Sequence, residues 1–246
     1  MDRAEALRAK RRAALALLDE LTQSIFLDMF GDPVTNPKGW GQATVAQLCG
    51  ERADNCVGGP FGSDLTQVDY VESPGVPVIR GKNLSIDGPF MSEDGFVFVS
   101  DAKARKLCRN TAIRGDVVVS QRGARLAGQV ALIPPDSQYE VYVVSQSQMR
   151  IRPDTNVIDQ LYLVYYLRSG QAVRRMESLT ISTGVPHINL GILRNFVIEV
   201  PDIALQREFV IRAGKVSSLK TTIHAAQIQS DSLFASLQHR AFRGEL

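Results

Sequence analysis

Apolar residues at the start of the chain are spaced as in an amphipathic helix. They recur every three or four positions as Ala4, Leu7, Ala14, Leu18, Leu21 and Ile25. Arg11 is the one break in this series. A stripe this narrow is typical of a coiled-coil seam, so residues 1–31 are predicted to form one helix. Gly31 and Pro33 predict its end, because glycine favours a helix cap and proline cannot continue the helix.

The end of the chain repeats this helical pattern over a longer stretch, residues 203–246, which Pro201 precedes. Its two predicted seam series have heptad spacing and are Phe209, Val216, Ile223, Ser230 and Leu237, and Arg212, Leu219, Ala226 and Leu233. Heptad spacing over this length predicts a long coiled-coil helix from Leu205 to Phe242.

Between these helices, residues 32–202 contain short runs of Val and Ile separated by Gly and Pro. We predict strands for the runs "VPVIR", "FVFVS", "DVVVS", "QVALI", "VYVVS" and "QMRIR", because β-branched residues bounded by turn formers are typical of sheets. A helix is predicted from Asp159 to Glu177, where Leu161, Val164 and Leu167 recur. The chain is therefore predicted to be α+β, with a strand-rich globule flanked by N- and C-terminal helices.

Composition places the chain among ordinary globular proteins. Its 246 residues are 44% hydrophobic and carry a formal net charge of +2. No apolar run is long enough to span a membrane, and the N-terminus has no signal core, so we expect a cytoplasmic protein without a membrane partner. Cys49, Cys56 and Cys108 lack C-x-x-C spacing, and we therefore expect no metal site.

Charge is balanced over the middle of the chain but concentrated in one part of it. Residues 33–202 contain equal numbers of basic and acidic side chains, so total charge gives no argument for nucleic acid. Within the basic segment, residues 101–125, only Asp101 and Asp116 oppose Lys103, Arg105, Lys106, Arg109, Arg114, Arg122 and Arg125. Two interpretations are open: a solvated face and a surface that contacts phosphates.

The sequence lacks the motifs of common enzyme classes. "GVPVIRGKN" at residues 75–83 approaches a phosphate-binding loop, but one residue too many separates its glycines and Asn83 replaces the hydroxyl. The patterns G-x-S-x-G, H-E-x-x-H and C-x-x-C are absent. "NPKG" at Asn36 departs from the amino-methyltransferase signature, and "PDSQYEVY" at residues 135–142 lacks the lysine of a nuclease motif. We therefore expect a noncatalytic chain with no catalytic residue and no cofactor of its own.

Polar residues at strand ends and in glycine-flanked turns are the candidates for recognition of DNA. Arg pairs with guanine edges, and Asn or Gln pairs with adenine edges. The predicted DNA-binding residues are Arg80, Lys82, Asn83, Gln121, Arg122, Arg125, Gln146, Gln148, Thr183, His187 and Asn189. Gln146 and Gln148 are predicted to share one face of a strand, since strand side chains alternate. The alternative for each residue is an ordinary turn or surface role.

Several segments, in order along the whole chain, resemble the specificity (S) subunit of type I restriction-modification systems. They are "LTQSIFLDMFGDPVTNPKGW", "GGPFGSDL", "GVPVIRGKNL", residues 115–128, "TGVPHINLGILRNFVIEVPD", "LQREF" and "SLQHRAFRGEL". The chain is similar to a half-length subunit with a single target recognition domain. The resemblance implies an N-terminal conserved helix at 1–31, a DNA-binding target recognition domain at 32–202 and a C-terminal coiled-coil helix at 203–246.

The resemblance also implies how such a chain works. Its domain would read one half of a bipartite target in double-stranded DNA, and its helices would form an antiparallel coiled coil. The subunit would dock methyltransferase (M) subunits that modify adenine N6, and the complex could add a motor-nuclease (R) subunit. S-adenosylmethionine and ATP are expected on those partner subunits only.

A single recognition domain further implies self-association, in which two copies read an inverted, interrupted repeat. The residues predicted for the coiled coil or dimer are Leu7, Leu18, Leu21, Ile25, Phe209, Val216, Leu219, Ile223, Leu233 and Leu237. Two other functions are open: a coiled-coil assembly module without DNA readout, and a fragment of a restriction enzyme or methyltransferase.

Overall fold

A computed structural model describes residues 2–50, 52–72, 75–84, 88–121, 129–180 and 187–243. The α-helices in these ranges are α1 (Asp2–Phe30), α2 (Val45–Leu48), α3 (Asp101–Lys106), α4 (Gln160–Arg168), α5 (Gly170–Ser178), α6 (Leu190–Asn195) and α7 (Ile203–Phe242). The strands are β1 (Gly41–Thr44), β2 (Cys56–Gly58), β3 (Tyr70–Val71), β4 (Val76–Ile79), β5 (Val97–Val99), β6 (Thr111–Ile113), β7 (Val117–Ser120), β8 (Val130–Leu132), β9 (Val141–Val144), β10 (Gln148–Ile151) and β11 (Val197–Val200).

Both predicted terminal helices are present, and the chain divides into two compact units. One unit contains Met1–Met29 together with Glu208–Leu246, and the other contains Phe30–Arg207. The first helix ends where the sequence predicted, because Gly31 has a φ of +82°. A side chain at Gly31 would also place its Cβ 2.5 Å from the Cγ of Pro37. No helix in the described part combines the length and apolar character needed to cross a bilayer.

The two long helices of the first unit run antiparallel, as predicted. Near the start of α1, the Nε of Arg8 lies 2.7 Å from the Oδ1 of Asp231, late in α7. Near the end of α1, the ring of Phe26 packs edge-on against Phe209, early in α7, at 5.4 Å between centroids. Contacts in this order along the two helices require opposite chain directions.

The seam of α7, meaning its row of residues facing α1, includes one of the two predicted series. Phe209 and Val216 are buried, and Ile223 and Ser230 are half-buried. The second series lies one residue later than predicted. It consists of Ala213, Lys220, Gln227 and Phe234, all buried or half-buried. Leu219, predicted for the seam, is 50% exposed, so that prediction is wrong for this helix pair.

The seam of α1 has the same one-residue difference. Leu18 is buried and Ile25 is half-buried, as predicted. Leu7 and Leu21 are 46% and 44% exposed and do not lie in the seam. Their places are taken by the half-buried residues Arg8 and Thr22. The prediction followed leucine side chains that lie on an outer face. It missed the actual seam because polar side chains such as that of Arg8 occupy part of it. The side chains of the predicted residues Leu233 and Leu237 lie outside the described part of the structure.

Polar residues that interrupt the predicted seams bind each other across the pair. The Nη1 of Arg11 donates to the Oγ of Ser230 at 2.6 Å and to the carbonyl oxygen of Ala226 at 3.2 Å. Next to them, the guanidinium of Arg8 lies 4.6 Å from the centre of the Phe234 ring. A polar contact within an apolar seam favours one register over others, since a slipped pair would leave these groups unsatisfied.

All six predicted strands are present in the second unit, whose described residues form three sheets. The four-stranded sheet has the order β2-β10-β7-β8, the five-stranded sheet β3-β5-β4-β9-β6, and the two-stranded sheet β1-β11. The pair β4–β9 is parallel, with Val78 opposite Val143. One core cluster joins Val118 and Ala131 of the four-stranded sheet to Ile79, Tyr142 and Val144 of the five-stranded sheet. The two larger sheets therefore pack against each other.

The helix predicted from Asp159 to Glu177 is interrupted and forms α4 and α5. Asp159 caps α4, accepting a hydrogen bond from the backbone nitrogen of Leu161 at 2.9 Å. Ser169 has an extended backbone, and its hydroxyl accepts from the nitrogen of Ala172 at 3.2 Å. This cap starts a second helix and breaks the first. The single-helix prediction was wrong, because serine hydroxyls compete for the backbone donors of a helix.

Candidate nucleic-acid interface

A polar cleft of about 620 Å³ lies where strands of the two larger sheets end. Its lining, called the polar cleft below, comprises Gly62, Leu65, Thr66, Gln67, Tyr70, Arg80, Gly81, Ser120, Gln129, Ser145, Gln146, Ser147 and Gln148. The turn at 145–147 joins β9 of one sheet to β10 of the other, which brings both sets of strand ends together. These lining residues offer amides, hydroxyls and one guanidinium, and none is a carboxylate. Such groups suit hydrogen bonding to base edges and phosphates.

Arg80 belongs to this cleft and follows β4 at the predicted strand-to-turn element. Its Nη2 donates to the carbonyl oxygen of Gly95 at 3.4 Å, a long hydrogen bond. Its Nε is buried and has no hydrogen-bond partner among the described residues. A buried donor without a partner carries a desolvation cost that a bound acceptor would remove. Arg80 therefore remains a prediction for contact with DNA.

Asn83 does not have the predicted role. It is fully buried in the short turn after β4. Its Nδ2 donates to the carbonyl oxygens of Ser92 and Asp94 at 3.2 and 3.1 Å, and its Oδ1 accepts from the nitrogen of Arg80 at 3.0 Å. The amide is thus used inside the fold, and the prediction of a base contact at Asn83 is wrong. Lys82, its neighbour, is exposed and stays a prediction.

Gln146 and Gln148 do not share a strand face. Gln146 lies in the turn between the sheets, and Gln148 is the first residue of β10. The Nε2 of Gln146 donates to the carbonyl oxygens of Gly62, at 3.0 Å, and of Leu65. Gln148 is buried, and its Oε1 accepts from the hydroxyl of Ser145. These contacts show that Gln146 braces a neighbouring loop and that Gln148 supports the turn, so the predicted shared reading face was wrong.

Gln121 lies beside the polar cleft at the end of β7. Its backbone nitrogen donates to Ser147 at 2.7 Å, and its carbonyl oxygen accepts from the nitrogen of Ile188 at 3.0 Å. Gln129, on the other side of residues 122–128, lines the cleft, and its buried Oε1 has no partner in the described part of the chain. Sequence reasoning missed Gln129, although it stands at the start of a predicted strand. Arg122, Arg125 and Thr183, all predicted contacts, lie outside the described residues.

The segment after residue 186 contains two further predicted contacts. Asn189 caps α6, since its Oδ1 accepts from the nitrogen of Ile192 at 2.8 Å. That oxygen has a structural role, although the residue itself is exposed. His187 is half-buried next to Ile188, which the hydrogen bond to Gln121 holds near the cleft. The structure therefore places Arg80, Gln146 and Gln148 in the cleft lining, with Gln121 and the 187–189 segment beside them.

The basic segment presents fewer free charges than its composition predicts. Lys103 is paired with Asp69 at 2.8 Å, and this hydrogen bond, followed by one from the backbone of Thr66, lowers the pKa of Asp69 to about 2. The guanidinium of Arg114 donates to the carbonyl oxygen of Ser137 at 2.7 and 3.2 Å. Arg105, Lys106 and Arg109 are exposed, and Arg109 has one long contact to Asp54 at 3.4 Å. Among the described residues of the segment, a phosphate-contacting surface would use mainly these three exposed cations.

Comparison with known proteins identifies one family and one fold. The family model described as "Type I restriction modification DNA specificity domain" matches residues 65–230. The HsdS subunit from Thermoanaerobacter tengcongensis is 21% identical, with a TM-score of 0.62 over 100% of this chain and 56% of that one. A chain from "Structural basis underlying complex assembly and conformational transition of the type I R-M system" is 20% identical, with a TM-score of 0.64.

The present chain thus covers little more than half of these two solved relatives, 56% and 57% of their lengths. No curated protein matches it.

Proposed function

This chain belongs to the type I restriction modification DNA specificity family, and from that premise we propose that it is a noncatalytic subunit that selects DNA sequence. Its strand-rich unit reads one half of a bipartite target in double-stranded DNA. The observation that carries this proposal is the polar cleft where the two larger sheets meet, which exposes hydrogen-bonding groups without a carboxylate. Direct readout of bases needs such groups, and phosphates would repel carboxylates.

The complete target requires a second recognition unit, and a second copy of this chain supplies it. A C2 dimer presents the same surface twice in opposite orientation, so its target is an inverted, interrupted repeat. Apolar side chains left outside the helix pair support association with other chains. Leu17, Ile211 and Ile228 are each at least 60% exposed on α1 and α7. Exposed apolar side chains on a helix pair favour packing against further helices.

The partners complete the chemistry. Adenine-N6 methyltransferase subunits dock on the specificity chain and bind S-adenosylmethionine, and an ATP-dependent motor-nuclease subunit joins them when DNA is restricted. This chain contributes position and selectivity, with no catalytic residue. Its role is to hold the methyltransferases at one sequence while phosphate contacts supply nonspecific affinity.

A methylome tests this function. The adenine methyltransferase that works with this chain is expressed in a host without other methylation, with and without the chain, and N6-methyladenine is mapped. We expect a split, inverted-repeat motif only when the chain is present. An asymmetric motif would retain the specificity role and contradict the homodimer. No motif, with an intact methyltransferase, would contradict DNA readout and favour a coiled-coil assembly module.

A further inference from the structure

The loop after β2 presents an aromatic ring to solvent. Within "GGPFGSDL", residues 58–65, Phe61 is 84% exposed. The loop is also part of the polar cleft, because Gly62 and Leu65 line it. A phenylalanine ring this exposed does not contribute the apolar burial by which such a side chain usually stabilises a fold.

The exposure of Phe61 does not come from a slack loop, because hydrogen bonds hold the loop on both sides of the ring. Before Phe61, the nitrogen of Gly59 donates to the carbonyl oxygen of Gln148 at 2.8 Å. After it, the side chain of Gln146 donates to Gly62 and Leu65, and Leu65 itself is buried. The chain thus uses a side-chain amide to fix the loop that carries the ring.

The backbone of the loop also lies directly on the turn between the sheets. A Cβ at Gly59 would lie 2.0 Å from the carbonyl oxygen of Ser145, a distance that no side chain tolerates. A turn hydrogen bond from the nitrogen of Asp64 to the carbonyl oxygen of Phe61, at 2.9 Å, closes the tip. The ring of Phe61 therefore projects from a rigidly held loop backbone, beside the cleft that contains Arg80.

We propose that Phe61 inserts its ring against the bases of the target DNA at one base step, which it partly unstacks. This inference rests on the proposed function and adds a contact of a different kind. Proteins that insert apolar side chains between bases combine a fixed hydrophobic wedge with nearby cations or amides, as the loop and the polar cleft do here. The wedge selects sequence through deformability, because some base steps unstack at lower cost than others.

The test uses the complex of this chain with its methyltransferase and duplexes that carry the methylome motif. 2-Aminopurine, whose fluorescence rises when it is unstacked, replaces one base at a time along the half-site. We expect the wild-type complex to raise fluorescence at one step. Phe61→Ala should abolish that rise and bind the target about tenfold more weakly, the usual loss for one base-stacking contact. Phe61→Trp should retain both properties.

Two controls separate this role from general effects. Val34→Ala removes another exposed apolar side chain, 61% exposed and outside the cleft lining, and should leave the fluorescence and the affinity unchanged. The thermal unfolding temperature of Phe61→Ala should equal that of wild type, since the ring is not part of the core.

Three outcomes would overturn the inference while leaving sequence selection intact. They are wild-type fluorescence in Phe61→Ala, no fluorescence change at any step with the wild-type complex, and weaker binding of the Phe61→Ala chain to the methyltransferase together with normal unstacking at concentrations that restore the complex. The last outcome would make Phe61 a protein contact. Failure of the proposed function itself is seen separately, as the absence of any methylated motif with wild type.

Discussion

The strand-rich unit and the helix pair differ in how completely they bury apolar residues. In the strand-rich unit, Val117, Val118 and Val119 and the run Tyr142–Val144 are almost completely buried. In the helix pair, Leu7, Leu17 and Ile211 stay exposed while charged residues enter the seam. The strand-rich unit completes its core within one chain. The helix pair leaves exposed apolar side chains, which the proposed assembly with further chains would cover.

Replacing one apolar residue by aspartate in each of the two regions gives the largest expected contrast in stability. Val118 lies in the core between the sheets, with no exposed surface. Val118→Asp buries a carboxylate without a partner and should lower the free energy of unfolding by about 4 kcal/mol or more, or prevent folding. Leu219→Asp, on the exposed face of α7, should change it by less than about 0.5 kcal/mol. Denaturant unfolding followed by circular dichroism measures both.

Leu219→Asp is also expected to affect association with other chains, which the unfolding measurement does not report. Because an added charge on an exposed apolar face opposes packing against another chain, self-association or methyltransferase binding should weaken, as measured by sedimentation. A loss of stability as large as that of Val118→Asp would contradict the seam described for α7.

The contact between Arg11 and Ser230 across the helix pair is expected to have an effect on stability of intermediate size. A double-mutant cycle of Arg11→Ala and Ser230→Ala should give a coupling of about 1 kcal/mol, because the two side chains are partly buried and bonded at 2.6 Å. Denaturant unfolding of the four proteins measures it. Additive losses would show that Arg11 does not contribute through Ser230, and the register would then depend on the apolar contacts alone.

The side-chain hydrogen bonds by which Gln146 holds the Phe61 loop are expected to affect only the binding of DNA. Gln146→Ala removes the amide that bonds to Gly62 and Leu65, so the loop loses support. Target affinity of the complex should fall roughly threefold, the value of one ordinary hydrogen bond, together with a smaller 2-aminopurine signal. Gln67→Ala, at an exposed amide in the same cleft, is the matched control. Equal effects of both variants would assign the loss to the cleft surface instead of the loop.

The smallest expected effect concerns acid stability of the strand-rich unit. The hydrogen bond from Lys103 and, after it, that from the backbone of Thr66 lower the pKa of Asp69 from 3.8 to about 2. The ionised carboxylate therefore stabilises the folded state above the ordinary pKa and loses this contribution as the pH falls from about 4 to 2. Asp69→Asn should therefore lose less thermal stability over this interval than wild type does. Parallel slopes for the two proteins would contradict a stabilising pair at this position.

The candidate site was only partly predictable. Arg80 was predicted because a cation after a strand and before a glycine is a recognisable pattern, and the structure places it in the cleft lining. Asn83 and Gln148 have equally suitable side chains, yet the fold uses their amides internally. The preference of an amide for DNA or for the protein backbone depends on which carbonyl groups lie within about 3 Å, and these come from distant segments such as Ser92 and Asp94. Phe61 could not be predicted as a functional residue, because only the tertiary structure determines that its ring is exposed.

By itself the sequence determined both terminal helices and six of the strands, because apolar periodicity reflects local geometry and burial. Tertiary structure alone decided the pairing of the sheets and the second series in each helix seam. It also decided the break at Ser169 and the exposure of the Phe61 ring. The physical reason is the same in each case. Periodicity records which residues avoid water, whereas the partner that excludes the water, or satisfies a polar group, is chosen only when remote parts of the chain meet.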